Sequence, residues 1–253
     1  MSMMDFSVVT VCFNSEKTIK ETIYSVLRQK NVNFEYIIVD GGSSDSTLDI
    51  VKSFNDPRIK FISEKDKGLY DAMNKGINMA NGSIVAIINS DDVYVNDSVL
   101  DKVKSKMERE HADIVSGHIY YFEDDVDCKE RKYQCVNYIN KSQWYSGWQP
   151  PHPSTFIKLK VYKEIGLYNI KYRISADYDF LFRALYINDY KISLLDEYLV
   201  AMRTGGESTQ SLKAIIRGNK EVLDAWKINN IKPPKLLIAK KLINKLMNSY
   251  NGN

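Results

Sequence analysis

The sequence predicts an α/β protein with a mainly parallel central sheet and helices on both faces. Strand-like segments alternate with helical segments of about ten or more residues through the first part of the chain. The strand-like segments are apolar throughout, as expected for strands that are buried on both faces. Several of them run directly into polar or glycine-rich turns, where such sheets bind their ligands.

The elements of the first part of the chain can be placed in order. Asn14-Ser15 is a capping-type pair before the first helix. Asn81-Gly82 is expected to end the third helix as a left-handed cap. The predicted strands span residues 6–12, 34–39, 58–62 and 83–88, and the predicted helices span 16–29, 45–54 and 69–80.

The second half is more mixed. The aromatic and proline-rich stretch from Trp144 to Pro153 is expected to be a loop that lines a site. The predicted strands span residues 113–122, 191–195 and 198–203, and a helix is predicted over 177–187. A linker-like break at residues 229–234 sets off the last segment.

Composition restricts the class of protein. The 253 residues are 44% hydrophobic and 26% charged, which is ordinary for a globular protein. Cys12, Cys128 and Cys135 form no close pair, which argues against a disulfide framework or a zinc site and favours a reducing compartment. No signal peptide or membrane-spanning segment is recognisable, so we expect a cytoplasmic protein.

The charge is unevenly distributed. Residues 211–253 carry nine basic and two acidic residues, whereas the preceding 210 carry 26 and 30. A mildly acidic body with a basic tail bears on which partners the protein binds and not on its fold. No nucleic-acid recognition fold accompanies the tail, so we expect no nucleic-acid partner.

The most informative segment runs from Ser83 to Asp92, where a buried-type strand leads into Asp91-Asp92. Paired carboxylates at a strand end are unfavourable unless they meet a cation. One or two carboxylates, completed by substrate phosphates, are a usual Mg²⁺ or Mn²⁺ site. The segment therefore indicates a metal-dependent enzyme with a nucleotide-linked substrate. An ordinary strand end followed by a solvated Asp-Asp turn is the alternative.

A second polar strand end lies at Asp40, which two glycines follow. Glycine permits a tight turn and close approach of a ligand. An aspartate there can accept a hydrogen bond from an imide N–H such as that of uracil. A plain polar strand-to-helix turn is the alternative.

Four blocks of sequence form an informative series along the chain. They are Val8-Val9-Thr10-Val11-Cys12-Phe13-Asn14, Tyr36-Ile37-Ile38-Val39-Asp40-Gly41-Gly42-Ser43-Ser44-Asp45, Ala72-Met73-Asn74-Lys75-Gly76-Ile77 and Ile88-Asn89-Ser90-Asp91-Asp92. In this order they resemble the nucleotide-sugar domain of family 2 glycosyltransferases with the GT-A fold. The resemblance covers roughly residues 5–210, and the variant over residues 68–76 looks like a bacterial surface-polysaccharide subgroup.

The resemblance implies roles on the donor side. Asp40 would bind uracil, Asp91 would contact the ribose, and Asp92 would coordinate a Mn²⁺ or Mg²⁺ ion that bridges the diphosphate of a UDP-sugar. Asn89 stands where many relatives have a carboxylate, so it could still bond the ribose but would bring no charge. The backbone around Val11, Cys12 and Phe13 would shape the base pocket, and the other donor-site candidates are Asn14, Gly41, Asp71, Asn74 and Ser90.

The resemblance also implies a catalytic base at Asp177, where an inverting transfer needs a carboxylate to take the acceptor proton. Ala176 replaces the usual glutamate of an acidic pair. Asp179 is the next candidate, for orienting loop backbone or the acceptor. A capping role is the alternative for these early helical aspartates.

Three further residues are site candidates. His152 could line the acceptor pocket or approach the diphosphate, and Trp148 could line the same pocket. A structural histidine bonded to backbone and a core or hinge tryptophan are the alternatives. Arg203 could reach the diphosphate, and it precedes Thr204 to Ser208, which resemble a mobile loop that closes over the donor.

The basic tail forms a predicted amphipathic helix over residues 235–250. Such a helix is typical of an anionic membrane surface, and packing on the body or a homodimer contact are the alternatives. The predicted apolar face consists of Leu236, Ala239, Leu242, Ile243, Leu246, Met247 and Tyr250, and its lysines are Lys235, Lys240, Lys241 and Lys245.

Taken together, the resemblance implies an inverting, metal-dependent hexosyl- or N-acetylhexosaminyltransferase of bacterial surface-polysaccharide synthesis, acting on a glycan acceptor carried by a lipid at the inner membrane face. A sugar nucleotidyltransferase and a non-catalytic docking subunit are the alternatives. We expect a GT-A domain over 1–210, with a nucleotide-sugar half at 1–95 and an acceptor-side half at 96–210. Residues 211–253 would form a helical tail.

Overall fold

The computed structural model describes residues 4–123, 126, 131–133, 140–204 and 211–250, with the backbone alone at 131–133 and 245–250. Its first part alternates strand and helix as expected. The elements are β1 (Phe6–Cys12), α1 (Ile19–Leu27), β2 (Phe34–Asp40), α2 (Thr47–Ser53), β3 (Ile59–Ser63), α3 (Leu69–Met79) and β4 (Ile84–Ile87).

The remaining elements complete the sheet and add helices. A 3₁₀ turn spans His152–Ser154, and a π-helical turn spans Phe182–Ile187. The others are β5 (Val93–Tyr94), α4 (Val99–Arg109), β6 (Ile114–Phe122), β7 (Arg131–Tyr133), α5 (Lys141–Trp144), β8 (Thr155–Lys158), α6 (Leu159–Ile165), α7 (Ala176–Leu181), β9 (Ile192–Arg203), α8 (Leu212–Ile228) and α9 (Leu237–Tyr250).

Within the described residues the strands form one sheet in the order β3-β2-β1-β4-β8-β6-β9-β5, with β7 beside β6. The pairs β3-β2, β2-β1, β1-β4 and β6-β9 are parallel, and the other pairs are antiparallel. The chain moves from β1 outward to β2 and β3 and then returns to β4 on the other side of β1. The carboxyl ends of β1 and β4 therefore flank a switch point, where open α/β sheets bind ligands.

Helices cover both faces of the sheet. Val8 and Val9 are neighbours in β1, and their side chains point to opposite faces, each into a separate apolar core. α3, α7 and α8 contribute to the core on the Val9 face, where Trp226 is fully buried. Burial on both faces accounts for the continuous apolar character of the strands.

The structure corrects the predicted end of α3. Neither Asn81 nor Gly82 has a positive φ angle, and Ala80 leaves the helix in an extended conformation. Gly82 is required for another reason, because a Cβ atom there would lie 2.3 Å from the backbone carbon of Phe6. The glycine permits close chain approach rather than a left-handed turn.

Two predicted elements differ in the second half. The predicted strands at 191–195 and 198–203 are a single strand, β9, whose register shifts where residues 195–197 face Gly117. The predicted helix over 177–187 changes from α to π geometry, as shown by the N–H of Asn188, which donates to Arg183 O at 3.1 Å. The stretch from Trp144 to Pro153, predicted as a loop, includes the end of α5 and the start of the 3₁₀ turn.

The carboxyl-terminal region packs partly on the body. Leu237 is buried, and Ile238 packs against the same core as α8. Leu236, Leu242 and Ile243 are exposed. None of the helices in the described part of the chain has the length and apolar character needed to cross a bilayer.

Candidate active site

Asp40 ends β2 at the carboxyl edge of the sheet and is almost fully buried. Its Oδ2 accepts hydrogen bonds from the N–H groups of Gly42 and Ser43 at 3.0 Å and from Ser63 Oγ at 2.7 Å. Ser43 Oγ also donates to Oδ1. Burial alone would raise the pKa of Asp40, but these hydrogen bonds lower it below its ordinary value. Asp40 is therefore an ionised anchor of its turn, and its contact with uracil stays a prediction.

The end of β1 forms the neighbouring wall. Phe13 is 62% exposed, and its ring would lie 3.4 Å from a Cβ atom at Gly41. A flat aromatic surface thus stands beside a turn without a side chain, an arrangement that suits a planar base. Asn14 has a φ of 49°, and its Oδ1 accepts the N–H of Ser44 at 2.9 Å, so it joins the two turns.

Val11 and Cys12 are buried behind this wall. Burial and the nearby Asp40 carboxylate raise the pKa of the Cys12 thiol to about 12. The thiol donates to Val39 O at 3.7 Å. Cys12 is a protonated packing group at neutral pH rather than a nucleophile.

The turn after β4 holds the two carboxylates. Asp92 is 1% exposed, and its Oδ2 accepts a hydrogen bond from Asn89 Nδ2 at 3.0 Å. The backbone N–H of Arg203 donates to Asp92 Oδ1 at 3.3 Å. Ser90 Oγ lies 2.8 Å from Ser15 Oγ, which connects this turn to the loop after β1.

The electrostatics of this turn favour a cation. Burial raises the pKa of Asp91, and burial together with the negative charge of Asp91 raises the pKa of Asp92 well above its usual range. Asn89 Oδ1 is buried and has no hydrogen-bond partner among the described residues, so a third oxygen beside the carboxylates is also unsatisfied there. A bound divalent ion would relieve all three penalties.

These oxygens fit a divalent metal that shares its ligands with a substrate. Within the described residues, no group of three or more acidic, histidine or cysteine side chains could hold an ion by itself. Asp92, Asp91 and the amide oxygen of Asn89 offer a partial set, and Mg²⁺ is commonly bound by one or two carboxylates plus substrate phosphates. The remaining ligands would come from a diphosphate.

Asp177 lies in the first turn of α7 and is held on both carboxylate oxygens. Gln149 Nε2 donates to its Oδ2 at 2.8 Å. The Tyr70 hydroxyl lies 3.1 Å from its Oδ1 and 2.8 Å from Ile174 O. Gln149 Oε1 is buried and has no partner in the described part of the chain, so an unused acceptor lies beside this carboxylate.

His152 lies close enough to Asp177 for the carboxylate charge to affect the pKa of the imidazole. Burial lowers the pKa of His152, and the nearby Asp177 carboxylate opposes this shift. His152 Nε2 lies 2.9 Å from the Tyr168 hydroxyl, which fixes the ring. His152 is therefore mostly neutral at pH 7. With Nε2 engaged by Tyr168, its other ring nitrogen can form one hydrogen bond with a ligand.

The two carboxylate clusters face the same edge of the sheet. β8 runs antiparallel to β4 with Phe156 opposite Ala86, so the 3₁₀ turn that contains His152 lies at the carboxyl end of β4. Tyr70 lies in the first turn of α3, after the loop of residues 64–68 that follows β3, and its hydroxyl brings Asp177 to that edge. A donor on one side and an acceptor on the other would meet there.

Other predicted site residues have partners within the protein. Asn74 joins α3 to Tyr168 by hydrogen bonds of 2.8 and 3.0 Å, and Asp71 accepts the N–H of Lys67 at 3.0 Å. The Arg203 guanidinium pairs with Glu21 at 2.6 Å. Their contacts with a donor stay predictions.

Two acceptor-side candidates also differ in their surroundings. Asp179 is buried and accepts from Arg183 Nε at 3.0 Å, and Arg183 in turn donates to Leu167 O at 2.7 Å. This arrangement orients the loop before α7, one of the two roles expected of Asp179. Trp148 Nε1 is buried without a partner in the described residues. Residues 205–208 of the expected mobile loop lie outside those residues.

Comparison with known proteins identifies the family. The sequence matches the family model described as Glycosyl transferase family 2 over residues 7–170, more than half of the chain. The chain belongs to glycosyl transferase family 2.

Relatives of this glycosyltransferase carry the same class of name. An uncharacterized glycosyltransferase of Methanocaldococcus jannaschii is 30% identical over 206 residues, which are 78% of this chain and 70% of that protein. A PGL/p-HBAD biosynthesis glycosyltransferase of Mycobacterium tuberculosis is 30% identical over 182 residues, which are 70% of this chain and 68% of that protein.

Solved structures show the GT-A fold of this glycosyltransferase. S. aureus TarS aligns with a TM-score of 0.70 and 21% identity, over 94% of this chain and 71% of that one. TarS in complex with UDP-GlcNAc aligns with a TM-score of 0.66 and 22% identity, over 87% and 67%. The mannosyltransferase PcManGT from Pyrobaculum calidifontis, in complex with GDP-Man and Mn²⁺, aligns with a TM-score of 0.64 and 16% identity, over 95% and 69%.

The sequence did not reveal a glutamate that positions the loop before α7 in this glycosyltransferase. Glu221 of α8 is buried and accepts the N–H groups of Arg173, Ile174 and Ser175 at 2.9, 2.8 and 2.8 Å. The loop that enters α7 is thereby fixed two residues before Asp177. No local sequence signal links Glu221 to this loop, since the contact spans more than forty residues.

Proposed function

We propose that this glycosyltransferase moves a sugar from a UDP-sugar to a hydroxyl of a glycan acceptor, with inversion and with the help of a divalent metal. The observation that carries the proposal is the edge of the sheet where buried Asp92 and the unsatisfied Asn89 oxygen face one side and Asp177 the other. Binding of UDP-GlcNAc by TarS and of GDP-Man with Mn²⁺ by PcManGT supports a nucleotide-sugar donor and a metal.

The chemistry is a single displacement at the anomeric carbon. Asp177 takes the proton of the acceptor hydroxyl as its oxygen attacks, the bond to the diphosphate breaks, and the configuration inverts. Gln149 and the Tyr70 hydroxyl hold the carboxylate in place. The metal, when bound, neutralises charge on the departing diphosphate, and Asp92 with Asn89 and Asp91 would hold it.

A lipid-linked acceptor of bacterial surface-polysaccharide synthesis is the second part of the proposal. The tail exposes three large apolar side chains, Leu236, Leu242 and Ile243. Two lysines of the same segment, Lys235 and Lys240, are also exposed. A basic amphipathic helix of this kind binds anionic membrane surfaces, where a lipid-carried glycan is found. The basic composition of the whole segment supports the same placement.

Ligand-induced stabilisation tests the donor and metal assignment. We expect UDP with Mn²⁺ to raise the melting temperature of the wild-type protein, because a ligand that binds the native state stabilises it. Asp92→Ala should remove this shift, whereas Asp177→Asn should retain it and abolish sugar transfer. A wild-type protein that no nucleoside diphosphate stabilises in the presence of metal would refute the proposal.

A panel of donors then resolves the nucleotide. UDP-, GDP- and dTDP-sugars are compared for metal-dependent hydrolysis in the absence of acceptor. Preferential hydrolysis of a UDP-sugar is expected, and loss of that hydrolysis in Asp177→Asn would separate an enzyme from a docking subunit. Release of inorganic pyrophosphate from UTP and a sugar phosphate would instead support a nucleotidyltransferase.

A further inference from the structure

A cavity lies beside the candidate catalytic base. It has a volume of about 540 Å³ and lies between the start of α3, the loop before α7 and the first two turns of α8. Ligand sites commonly have volumes of roughly 300–1,000 Å³. Asp71, a donor-site candidate, contributes to its wall, whereas the candidate metal ligands and Asp177 do not line it.

The lining is strongly basic. Lys67, Arg173, Lys213 and Arg217 contribute to the wall, against a single carboxylate from Asp71. Asp71 is already engaged, since its Oδ2 accepts the N–H of Lys67 at 3.0 Å and lies 3.9 Å from a lysine Nζ outside the cavity. The cavity therefore has a surplus of positive charge.

This surplus has no counter-charge in the described part of the chain. The side chains of the four cationic residues form no ion pair with any described carboxylate. α3 and α8 both begin at the cavity, and the positive ends of their dipoles add to the field. Cations that are gathered around a concave surface without partners favour an anionic ligand.

The rim of the same cavity is apolar. Leu69 is 39% exposed and Ile170 is 45% exposed, and both line the cavity. Large aliphatic side chains beside cations suit an amphiphile, because a free sugar phosphate has no apolar part to cover them.

The cavity shares a wall with the base. Tyr70 lines it, and the Tyr70 hydroxyl lies 3.1 Å from Asp177 Oδ1. Arg173 also lines it, and its backbone N–H is held by Glu221 of α8 at 2.9 Å. A ligand in the cavity would therefore lie next to the groups that hold Asp177.

We propose that this basic cavity, lined by Lys67, Arg173, Lys213 and Arg217, binds the phosphate group of a lipid-linked acceptor and so presents the glycan to Asp177. The inference rests on the proposed function, because it names where the acceptor of that reaction is held. The donor diphosphate is assigned to the turn at Asp92, so the two phosphate groups occupy different sites. The lipid chain lies over the rim formed by Leu69 and Ile170.

Binding of farnesyl diphosphate to the full chain tests the cavity. Titrations are done in EDTA, which prevents the diphosphate from binding through a divalent ion. Lys213→Gln/Arg217→Gln is compared with Lys220→Gln/Lys227→Gln, which removes the same charge from exposed positions farther along α8. We expect the Kd to rise about tenfold in the first variant, which corresponds to about 1.4 kcal/mol. The control should change by less than about twofold, as exposed charges usually do.

Three further ligands distinguish the sources of phosphate. Farnesol lacks the charge and inorganic pyrophosphate lacks the chain, so each should bind more weakly than farnesyl diphosphate. Leu69→Ser/Ile170→Ser should weaken farnesyl diphosphate binding and leave pyrophosphate binding unchanged. UDP with Mn²⁺ should bind Lys213→Gln/Arg217→Gln as it binds the wild-type protein.

Several results would overturn the inference. The first is a wild-type protein that does not bind farnesyl diphosphate, and the second is an equal loss of affinity in the test and control variants. The third is loss of UDP binding in Lys213→Gln/Arg217→Gln, which would make the cavity part of the donor site. A wild-type protein that binds farnesyl diphosphate but not UDP with Mn²⁺ would refute the proposed function instead.

Discussion

At the scale of single residues, Asp177 depends on two neighbours of different chemistry. Gln149 donates to one carboxylate oxygen at 2.8 Å, and the Tyr70 hydroxyl approaches the other at 3.1 Å. The Tyr70 hydroxyl can instead donate to Ile174 O at 2.8 Å, so its contribution to Asp177 is shared. Gln149 has no such alternative for its amide N–H and is therefore the stronger positioning residue.

We predict that Gln149→Leu lowers kcat by about tenfold to a hundredfold, because a hydrogen bond to a charged group contributes about 1.5–3 kcal/mol. Gln149→Glu should lower it further, since a second carboxylate would repel Asp177. The Kd of UDP with Mn²⁺ should stay unchanged in both. Steady-state kinetics and UDP titration measure the two effects, and Tyr70→Phe is the milder comparison. A UDP Kd that rises in step with the fall in kcat would contradict a positioning role.

A second residue-scale prediction concerns stability. Glu35 is buried, and it accepts from Ser7 Oγ at 2.6 Å, from the N–H of Asn81 at 2.7 Å and from Lys60 Nζ at 2.7 Å. Burial alone would raise the pKa of Glu35, but these bonds lower it below 4.5. Glu35→Gln should lower the free energy of unfolding at pH 7 by about 1–3 kcal/mol, because a partner of Lys60 is lost. Urea unfolding measures the difference.

The pH dependence has a definite sign. Because the pKa of Glu35 is lower in the folded chain than in the unfolded chain, its stabilisation is present above the unfolded pKa and is lost as pH falls through the folded value. The difference between wild type and Glu35→Gln should therefore shrink on acidification to about pH 3. Glu64→Gln, at an exposed ion pair, is the control and should change stability by less than about 0.5 kcal/mol. A difference that grows in acid would contradict this assignment.

At the scale of elements, α3 lies unusually close to the sheet. A Cβ atom at Gly76 would lie 2.3 Å from Val9 Cγ1 and 3.4 Å from Val39 Cγ2. The glycine lets the helix approach β1 and β2, and this approach places Tyr70 and Asn74 where they contact the segment before α7. The close packing of one helix therefore supports the position of Asp177, the proposed base.

We predict that Gly76→Ala lowers the free energy of unfolding by about 1–3 kcal/mol through overpacking. Val9→Ala alone should also destabilise, by about 1–3 kcal/mol, since buried methyl groups are lost. Combined, the two changes should destabilise by less than the sum, because the removed valine methyls make room for the new one. Chemical unfolding of the four proteins in this cycle measures the coupling. Strict additivity would show that the helix relaxes away from Val9 instead.

The elements near the amino terminus could be predicted from sequence because each depends on local pattern. β1, β2, β4 and α3 follow from apolar runs and helical spacing within their own residues. The single strand β9 could not be predicted, since its bulge opposite Gly117 depends on pairing with a distant strand. A structural role for Gly82 was predicted, but the predicted left-handed cap was wrong. Its actual role, to let the backbone of Phe6 approach, depends on a contact between distant parts of the chain.

At the scale of the whole molecule, the candidate site was predictable where it coincides with strand ends. Asp40 and Asp92 lie at the carboxyl ends of β2 and β4, and the parallel sheet brings them to one edge. Gln149 and Glu221 were not predicted, because their contacts with the segment of Asp177 join parts of the chain that are far apart in sequence. The basic cavity was missed for the same reason, since three separate segments contribute its cations.

The last prediction concerns the tail of the molecule. Buried Leu237 fixes the start of α9 to the body. Lys241 also packs against the body, so closely that a Cβ atom added to Gly147 would lie 2.9 Å from Lys241 Cβ. The exposed side chains Leu242 and Ile243 therefore lie on a helix that is attached to the body rather than on a detached segment. A rigidly held apolar surface with neighbouring lysines can enter a membrane interface without ordering a flexible segment first.

We predict that the protein co-sediments with vesicles that contain phosphatidylserine, and that Leu242→Ser/Ile243→Ser reduces the bound fraction by about tenfold or more. Full burial of each such side chain contributes about 1.5–3 kcal/mol, and each lysine near the anionic surface adds about 1 kcal/mol. Added salt should weaken binding, and phosphatidylcholine vesicles should bind less. Phe61→Ser/Ile187→Ser, which removes two exposed apolar side chains elsewhere, should bind as the wild type does. If Leu242→Ser/Ile243→Ser instead converts a dimer to a monomer in sedimentation velocity and leaves vesicle binding unchanged, then this face is a contact between two copies of the chain, because the same apolar surface cannot be buried in a subunit interface and in lipid at once.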